Sequence, residues 1–151
     1  MMILPSLSEI NSTPLAEVDL LRIQKDYTTS SSLQSKFNYA YALLRTASLP
    51  SFRQNLVNAQ RLFEELYIEH ESTRDQTVYY LAACLSLQGK YRDAKRYIEM
   101  FVRLHPENVQ GNEMRHIIED GIKREALVGA GIVGVGVAVI GLLASALFKR
   151  N

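Results

Sequence analysis

Residues 79–106 of the chain, YYLAACLSLQGKYRDAKRYIEMFVRLHP, decide its fold. Apolar side chains recur at steps of three and four on both sides of Gly89, which predicts two amphipathic helices joined by a tight turn. The first helix should stop near Gly89, and the second should cover residues 91–104, with a proline just beyond its end. Small side chains, Ala82 and Ala94, stand where the paired helices need to approach closely. The stretch therefore predicts an antiparallel helical pair.

The order of residues in this pair resembles the tetratricopeptide repeat, a pattern of about 34 residues whose helical pairs stack on one another. The matching positions are a large–small pair, a glycine, an aromatic residue, an alanine, two large apolar residues and a closing proline: Leu81, Ala82, Gly89, Tyr91, Ala94, Ile98, Phe101 and Pro106. An earlier segment repeats the pattern less faithfully, since its Ala59, Phe63 and Leu66 stand 35 residues before their counterparts. The resemblance implies two tandem repeats.

Helix signals also cover the rest of residues 14–125, and no segment alternates apolar and polar residues over the length of a strand. The fold class is therefore all-α, a six-helix antiparallel bundle with two tandem tetratricopeptide-like repeats, plus one C-terminal transmembrane helix. We expect the six helices to begin near Pro14, Leu33, Ser51, Ser72, Tyr91 and Asn108. In the first of them, Leu15, Val18 and Leu21 should form the buried stripe, and Leu20 and Ile23 should widen it.

Stacked repeats leave a concave groove lined by the first helix of each pair. The predicted groove residues lie at steps of three and four on two helices: Phe37, Tyr41, Leu44, Gln76, Tyr79, Ala83, Ser86 and Leu87. An apolar and aromatic groove of this kind suits a peptide or a helix of a partner protein. In the alternative interpretation, individual members of this set belong to the hydrophobic core.

Residues 126–148, ALVGAGIVGVGVAVIGLLASALF, contain no charged residue. As a helix this segment would be about 35 Å long, enough to cross a hydrocarbon layer of about 30 Å. Basic residues flank it on both sides, and the short basic tail 149–151 follows it. We therefore predict a transmembrane tail anchor that is inserted after synthesis. An N-terminal arm, residues 1–13, and a helical domain, residues 14–125, should face the cytosol.

Small residues recur at every fourth position of this segment: Ala126, Ala130, Gly134 and Ala138. Such a face packs helices together in lipid, so it favours a homo-oligomer. In the alternative interpretation, the glycines merely lower the hydrophobicity of the anchor. The segment also spells GxGxxG, but no βαβ unit and no acidic residue about 20 positions later accompany it, which excludes a dinucleotide site.

Three groups of residues resemble the mitochondrial fission 1 proteins, particularly their fungal members. They are LQSKFNYAY at 33–41, YYLA at 79–82 with the following GxY, and AKRY at 94–97. The glycine-rich terminal segment that ends in two basic residues is similar as well. The resemblance implies a single-pass receptor of the mitochondrial outer membrane, and often of peroxisomes. In this family the cytosolic domain binds adaptor proteins through a helical segment (WD40-type adaptors in fungi), and the adaptors recruit a dynamin-related GTPase for fission.

The resemblance also implies that the N-terminal arm can lie along the groove and modulate access to it. Its candidate contact residues are Ile3, Leu4, Leu7 and Ile10. Three groove positions depart from the family pattern, since Tyr41 replaces a usual Trp, Ser86 a common aromatic residue and Leu87 a usual basic residue. A wider and less polar groove is the expected result.

The composition argues against several other function classes. The chain has 17 lysines and arginines against 16 acidic residues, so it lacks the basic field that nucleic-acid binding requires. It has no HExxH, GxSxG or Walker motif, and its three histidines have no metal-ligand spacing, so we expect no catalytic residue, no metal and no cofactor. The single cysteine, Cys84, cannot form an internal disulfide and is expected in the core.

One alternative function is a tail-anchored tetratricopeptide docking receptor for chaperones or import substrates. Receptors that hold the acidic C-terminus of a chaperone line the groove with Lys, Asn and Arg, which clamp carboxylates. Lys36, Asn38 and Arg45 lie near the predicted groove, but the groove positions themselves are apolar or aromatic. A membrane-shaping protein that acts through its tail alone would leave the groove unexplained.

Overall fold

The computed structural model describes residues 2 and 4–131. These residues form seven α-helices and one turn of 3-10 helix, Glu71–Thr73, and contain no strand. The helices are α1 Leu7–Ser12, α2 Glu17–Thr29, α3 Leu33–Leu44, α4 Phe52–Glu69, α5 Arg74–Leu87, α6 Tyr91–Leu104 and α7 Val109–Gly129. The all-α prediction is confirmed.

Most of the predicted membrane segment 126–148 lies outside the described residues. Within the described part, no helix is both long enough and apolar enough to cross a bilayer. Of the predicted small-residue face, Ala126 and Ala130 are exposed, while Gly134 and Ala138 lie outside the described residues.

The prediction of six helices is wrong, because the N-terminal arm forms a helix of its own, α1. Ser6 caps this helix: its Oγ accepts a hydrogen bond from the Glu9 amide at 3.1 Å, and the Glu9 carboxylate accepts one from the Ser6 amide at 2.6 Å. This reciprocal pair is a capping box, which satisfies two amides that the first turn of a helix leaves free. The Ser-x-x-Glu spacing at residues 6–9 is the sequence signal for it.

Helix α2 is present, but its predicted buried stripe is only partly right, since Leu15 and Ile23 are half-buried against the core while two other members face the solvent. Val18 and Leu21 are 72% and 57% exposed, whereas Leu20 is buried. The helix turns Leu20 and Tyr27 toward α3, where the Tyr27 ring stacks on Tyr39 with the ring centroids 5.3 Å apart. A stripe through Val18 and Leu21 and a stripe through Leu20 and Tyr27 both fit helical periodicity. The stacking of Tyr27 on Tyr39 accompanies the stripe through Leu20.

The two predicted repeats correspond to the pairs α3–α4 and α5–α6, and neighbouring helices of the bundle pack against one another from α2 to α7. Gly89 ends the second pair's first helix with φ +74°, a left-handed conformation that glycine adopts without steric cost. Ala82 and Ala94 are completely buried at the helix contact. Helix α3 ends at Leu44, where a turn follows it.

Helix α7 packs closely along α6 in the opposite direction. A Cβ atom added at Gly111 would lie 2.7 Å from the Phe101 ring, and one added at Gly121 would lie 2.5 Å from the Tyr91 ring. The ends of these helices define two ends of the bundle. We call the end that holds the α5–α6 turn and the last turns of α7 the tail end, and the opposite one, with the α6–α7 loop, the head end.

Candidate functional site

The N-terminal arm lies along the second repeat and the start of α7. The Tyr79 hydroxyl, on α5, donates a hydrogen bond to the Pro5 carbonyl oxygen at 2.6 Å. Near the head end, the Asn108 side-chain amide donates to the Met2 carbonyl oxygen at 3.0 Å. The arm therefore satisfies its own backbone acceptors with side chains of the helical domain, which fixes its position and direction.

Apolar side chains of the arm are removed from water. Leu4 and Leu7 are buried, and Ile10 is completely buried; all three belong to the same hydrophobic cluster as the core of the repeats. Leu7 and Ile10 share one face of α1 because they stand three residues apart. Ile3, the fourth predicted contact, lies outside the described residues.

The other end of the arm is held at the end of α3. The Arg45 guanidinium donates from Nε to the Thr13 carbonyl oxygen at 3.0 Å, and the Leu15 amide donates to the Arg45 carbonyl oxygen at 2.6 Å. Between these points, Pro5, Glu9 and Tyr41 contribute to the lining of a cleft of about 410 Å³ that remains open at the edge of the arm.

A series of aromatic contacts connects the arm's binding surface to the core. Tyr79 packs edge-on against Tyr80 at 5.6 Å and tilted against Phe101 at 5.1 Å. Tyr80 in turn contacts Tyr41 edge-on at 5.4 Å and stacks on Phe63 at 5.4 Å. Because these rings lie on four helices, the surface beneath the arm is held by rigid packing.

The predicted groove residues occupy different environments. Leu44, Tyr79, Ala83 and Ser86 are buried, and the Ser86 hydroxyl donates to the Ala82 carbonyl oxygen at 2.7 Å. The half-buried members are Phe37, Tyr41, Gln76 and Leu87. Phe37 packs edge-on against Phe63 and Tyr80 of the core. Leu87 lines a separate cleft at the tail end, away from the arm. Binding of a partner by this set stays a prediction.

Two polar contacts of the arm were not among the predicted site residues, Asn108 and Arg45, and neither was Gln110, which contributes to the lining of the cleft at the edge of the arm. Asn108 was predicted at the start of the last helix, and it caps that helix by accepting a hydrogen bond from the Gly111 amide at 2.8 Å. Its side-chain amide also donates a hydrogen bond to the Met2 carbonyl oxygen, and these two residues stand 106 positions apart in the chain. No local pattern in the sequence carries that information.

Tyr41 also borders a second opening, between α2 and α3. This pocket of about 220 Å³ has an apolar floor that includes Leu15 and Ile23, and Asp26 and Arg45 are the charged residues in its lining. It adjoins the arm-bound surface at Tyr41 and lies open beside it. The concave side therefore has one part covered by the arm and one part that remains accessible.

Burial raises the pKa values of two tyrosine hydroxyls and one cysteine thiol on α5. It raises the pKa of the Tyr79 hydroxyl far above its ordinary value, with a smaller contribution from the neighbouring Tyr80, and it raises the pKa of Tyr80 in the same way. The Tyr79 hydroxyl therefore remains a hydrogen-bond donor to the arm throughout the physiological pH range. Burial likewise raises the pKa of the Cys84 thiol, which opposes thiolate formation and hence nucleophilic reactivity.

The charged residues near the groove are already engaged. Lys36 donates to Glu69 at 2.9 Å and to Glu65 at 3.2 Å, and the hydrogen bond with Glu69 raises the lysine's pKa. Since Lys36 has two carboxylate partners and Arg45 holds the arm, neither is placed to clamp the C-terminal carboxylate of a chaperone. Within residues 4–131, no group of three or more His, Cys, Asp or Glu side chains is arranged to hold a metal ion.

Comparison with known proteins identifies related sequences along nearly the whole chain. The family model described as Fis1 C-terminal tetratricopeptide repeat matches residues 65–127. The mitochondrial fission 1 protein of Candida albicans is 35% identical, over 97% of this chain and 94% of that protein. The protein of the same description from Yarrowia lipolytica is 31% identical, over 94% of each chain.

The fold is similar to solved structures as well. Yeast Fis1 in complex with an Mdv1 fragment matches 84% of this chain and 99% of that one, with a TM-score of 0.77 and 25% identity. Yeast Fis1 complexed with a fragment of yeast Caf4 matches 65% of this chain and 99% of that one, with a TM-score of 0.59 and 25% identity. Because the sequence similarity extends over nearly its whole length and the helical fold agrees, the chain belongs to the mitochondrial fission 1 protein family.

Proposed function

We propose that the chain is a receptor whose concave groove binds a helical segment of an adaptor protein. The observation that carries this proposal is the arm itself. A short capped helix with apolar residues three positions apart already lies there, and a groove tyrosine donates a hydrogen bond to its backbone. A surface that accepts this helix has the chemistry to accept another of similar character. Two solved family structures support the proposal, because they contain Fis1 with fragments of Mdv1 or Caf4.

The arm would then regulate the groove by competition. Tyr79 and Ala83 are completely buried with the arm in place. A partner helix that contacts them therefore needs the arm to leave, and its apparent affinity falls with the fraction of closed receptor. The open pocket beside Tyr41 offers a first point of contact that does not require arm movement.

The rest of the proposed function concerns the membrane. Residues 126–148 would anchor the receptor in the mitochondrial outer membrane, and in the peroxisomal membrane as well, with the helical domain in the cytosol. The bound adaptor would recruit a dynamin-related GTPase to drive fission of the organelle. The small residues from Ala126 to Ala138 would support self-association of the anchors.

Binding of an adaptor fragment to the full chain in detergent micelles tests the groove assignment. The fragment is a labelled Mdv1 segment with the N-terminal extension and coiled coil. Tyr41→Ala removes a half-buried ring beside the arm and should weaken binding at least tenfold, as expected for an aromatic residue central to an interface. Tyr97→Ala, a half-buried tyrosine of the outer helix α6, is the matched control and should bind normally.

The same titration tests competition by the arm. Ile10→Ala should loosen the arm and increase the affinity for the fragment if the arm competes. A decrease would mean that the arm forms part of the binding surface. Equal loss of binding in Tyr41→Ala and Tyr97→Ala would contradict the groove assignment.

In cells that lack the native gene, an N-terminal fluorescent fusion should label mitochondria and restore fragmented networks, whereas Tyr41→Ala should label them without restoring fission.

A further inference from the structure

The tail end of the bundle contains a cleft that the proposed adaptor binding does not use. It is open to solvent, has a volume of about 740 Å³, and lies between the first turns of α4 and the α5–α6 turn. Its walls are apolar, from Phe52, Val57 and Leu87, and two cations, Arg53 and Lys90, are part of the lining. Val57 is 47% exposed, so the apolar wall is accessible.

The position of α7 places this cleft at the end of the bundle from which the last described residues of the predicted membrane segment, 126–131, extend. The α7 helix crosses the Tyr91 ring at Gly121, and Lys95 of α6 lies 3.7 Å from the Glu119 carboxylate. Tyr91 is also part of the cleft lining. Beyond this crossing, α7 continues to Gly129, which is already within residues 126–148. A bilayer that holds this segment would therefore face the cleft.

Unpaired cations are concentrated at this end. Arg53, Lys90, Arg92 and Arg124 are exposed, and no carboxylate of residues 4–131 lies within ion-pair distance of them. Five acidic residues share this end. Asp19 is paired with Arg22 at 3.2 Å and Asp120 with Lys123 at 3.3 Å, which leaves three carboxylates without a cation partner within residues 4–131: Glu17, Asp93 and Glu125. Cations thus outnumber carboxylates. The head end has a slight excess of acidic residues, since five of them, Asp26, Glu69, Glu71, Asp75 and Glu107, lie beside four cations, Lys25, Lys36, Arg74 and Arg103.

From this arrangement we infer that the tail-end cleft binds the headgroups of anionic phospholipids in the same bilayer that holds the anchor. The inference rests on the proposed tail anchor and extends it. Arginine and lysine donate strong hydrogen bonds to phosphate oxygens, and their aliphatic stems pack on apolar surface while the charges remain hydrated. An anionic surface attracts the basic end and repels the acidic end, so both contributions favour an upright domain.

The test uses the full chain reconstituted into vesicles of phosphatidylcholine alone, or with one third phosphatidylglycerol. A donor fluorophore is attached to Ser48→Cys, an exposed loop position at the tail end, and acceptors are placed on lipid headgroups. Labelling is selective because the native Cys84 is completely buried. Energy transfer should be at least twofold higher in the anionic vesicles. The same label at Ser72→Cys, at the head end, should show no increase.

Charge-reversal variants identify the residues. Arg53→Glu combined with Lys90→Glu should remove the dependence on anionic lipid, since both cations belong to the cleft. Lys25→Glu combined with Arg103→Glu is the matched control: both are exposed cations of the head end, and the dependence should remain. An equal loss in both double variants would refute the cleft and leave only a general effect of net charge.

Two further outcomes would overturn the inference. If the protein is inserted but energy transfer is equal in the two kinds of vesicle, the lipid site is refuted and the anchor is not. The cleft would then be a site for a soluble partner. Protein that alkaline carbonate extracts from the vesicles would refute the anchor and the inference together. Inorganic phosphate at matched ionic strength should leave the increase in energy transfer in the anionic vesicles unchanged. If phosphate abolishes that increase, the cleft binds free phosphate instead.

Discussion

Removal of the Tyr79 hydroxyl is expected to loosen the N-terminal arm while the helical domain stays folded. In Tyr79→Phe the aromatic ring remains, so its packing against Phe101 is retained. The hydrogen bond to the Pro5 carbonyl is lost. Pro5 is half-buried, so water can reach its carbonyl oxygen once the arm moves and the penalty for an unsatisfied acceptor is limited.

The size of the effect follows from the net value of one neutral hydrogen bond, about 0.5–1.5 kcal/mol. A loss of about 1 kcal/mol would shift the equilibrium between docked and open arm about fivefold toward the open form. Within the described residues the Tyr79 hydroxyl forms no hydrogen bond with the repeats themselves, so the free energy of unfolding of the repeats should change by less than that amount.

Hydrogen–deuterium exchange of the Ile10 amide measures this equilibrium. That amide donates to the Ser6 carbonyl oxygen within α1 at 3.0 Å, and it is protected only while α1 is formed and docked. Tyr79→Phe should accelerate its exchange about fivefold. Tyr80→Phe is the control, since no hydrogen bond of the Tyr80 hydroxyl occurs within residues 4–131. An unchanged exchange rate in Tyr79→Phe would refute the view that this hydroxyl holds the arm.

Three more predictions concern the arm and α7. Ile10→Ala removes a completely buried side chain, which costs about 2–5 kcal/mol at a core site, so the arm should detach and residues 4–13 should become sensitive to limited proteolysis. Gly121→Ala forces a methyl group against an aromatic ring and should lower the thermal denaturation midpoint by several degrees, since overpacking costs about 1–3 kcal/mol and the gain in helix propensity returns only about 1 kcal/mol. The pKa of Glu9 is held below its usual range by the hydrogen bond with the Ser6 backbone and then by the Ser6 side chain. A carboxyl group whose pKa is lowered in the folded state stabilises that state at pH values above its ordinary pKa. This stabilisation is lost as the pH falls through the lowered pKa. The Ile10 NMR signals should therefore shift toward the detached form at acidic pH.

Each of these predictions has a control in the same chain. Ser8→Ala changes an exposed position of α1 and should leave the protease pattern unchanged. Gly129→Ala places its methyl group where no atom lies within 4 Å, so equal destabilisation of Gly121→Ala and Gly129→Ala would contradict the steric argument. Glu9→Gln should abolish the acid transition of the arm. If the transition persists in that variant, a different group is responsible for it.

The helical pairs could be predicted because their information is local. Gly89, Ala82 and Ala94 each act within one turn or one helix contact, and the structure places all three as their spacing indicates. The stripe of α2 could be predicted only in part, for the opposite reason. Val18 and Leu20 both begin acceptable helical stripes, and only packing against the next helix decides between them.

The arm's contacts could be predicted only in part. The apolar residues Leu4 and Ile10 were selected by their character and a family resemblance, and both are buried. Helix α1 has six residues, too few for periodicity to identify, although the capping box marks it. The hydrogen bonds of Tyr79 and Asn108 to the arm join residues 74 and 106 positions apart, and such pairs depend on the completed fold.

The link between α1 and α2 is only the four residues 13–16, and Arg45 holds its first carbonyl. The arm is therefore an intramolecular ligand whose effective concentration, for so short a tether, is on the order of millimolar. An adaptor present at about a thousandth of that concentration would need roughly 4 kcal/mol more binding free energy than the arm to occupy half of the receptors. Lengthening this link would make the receptor more sensitive to its partner without any change in the groove.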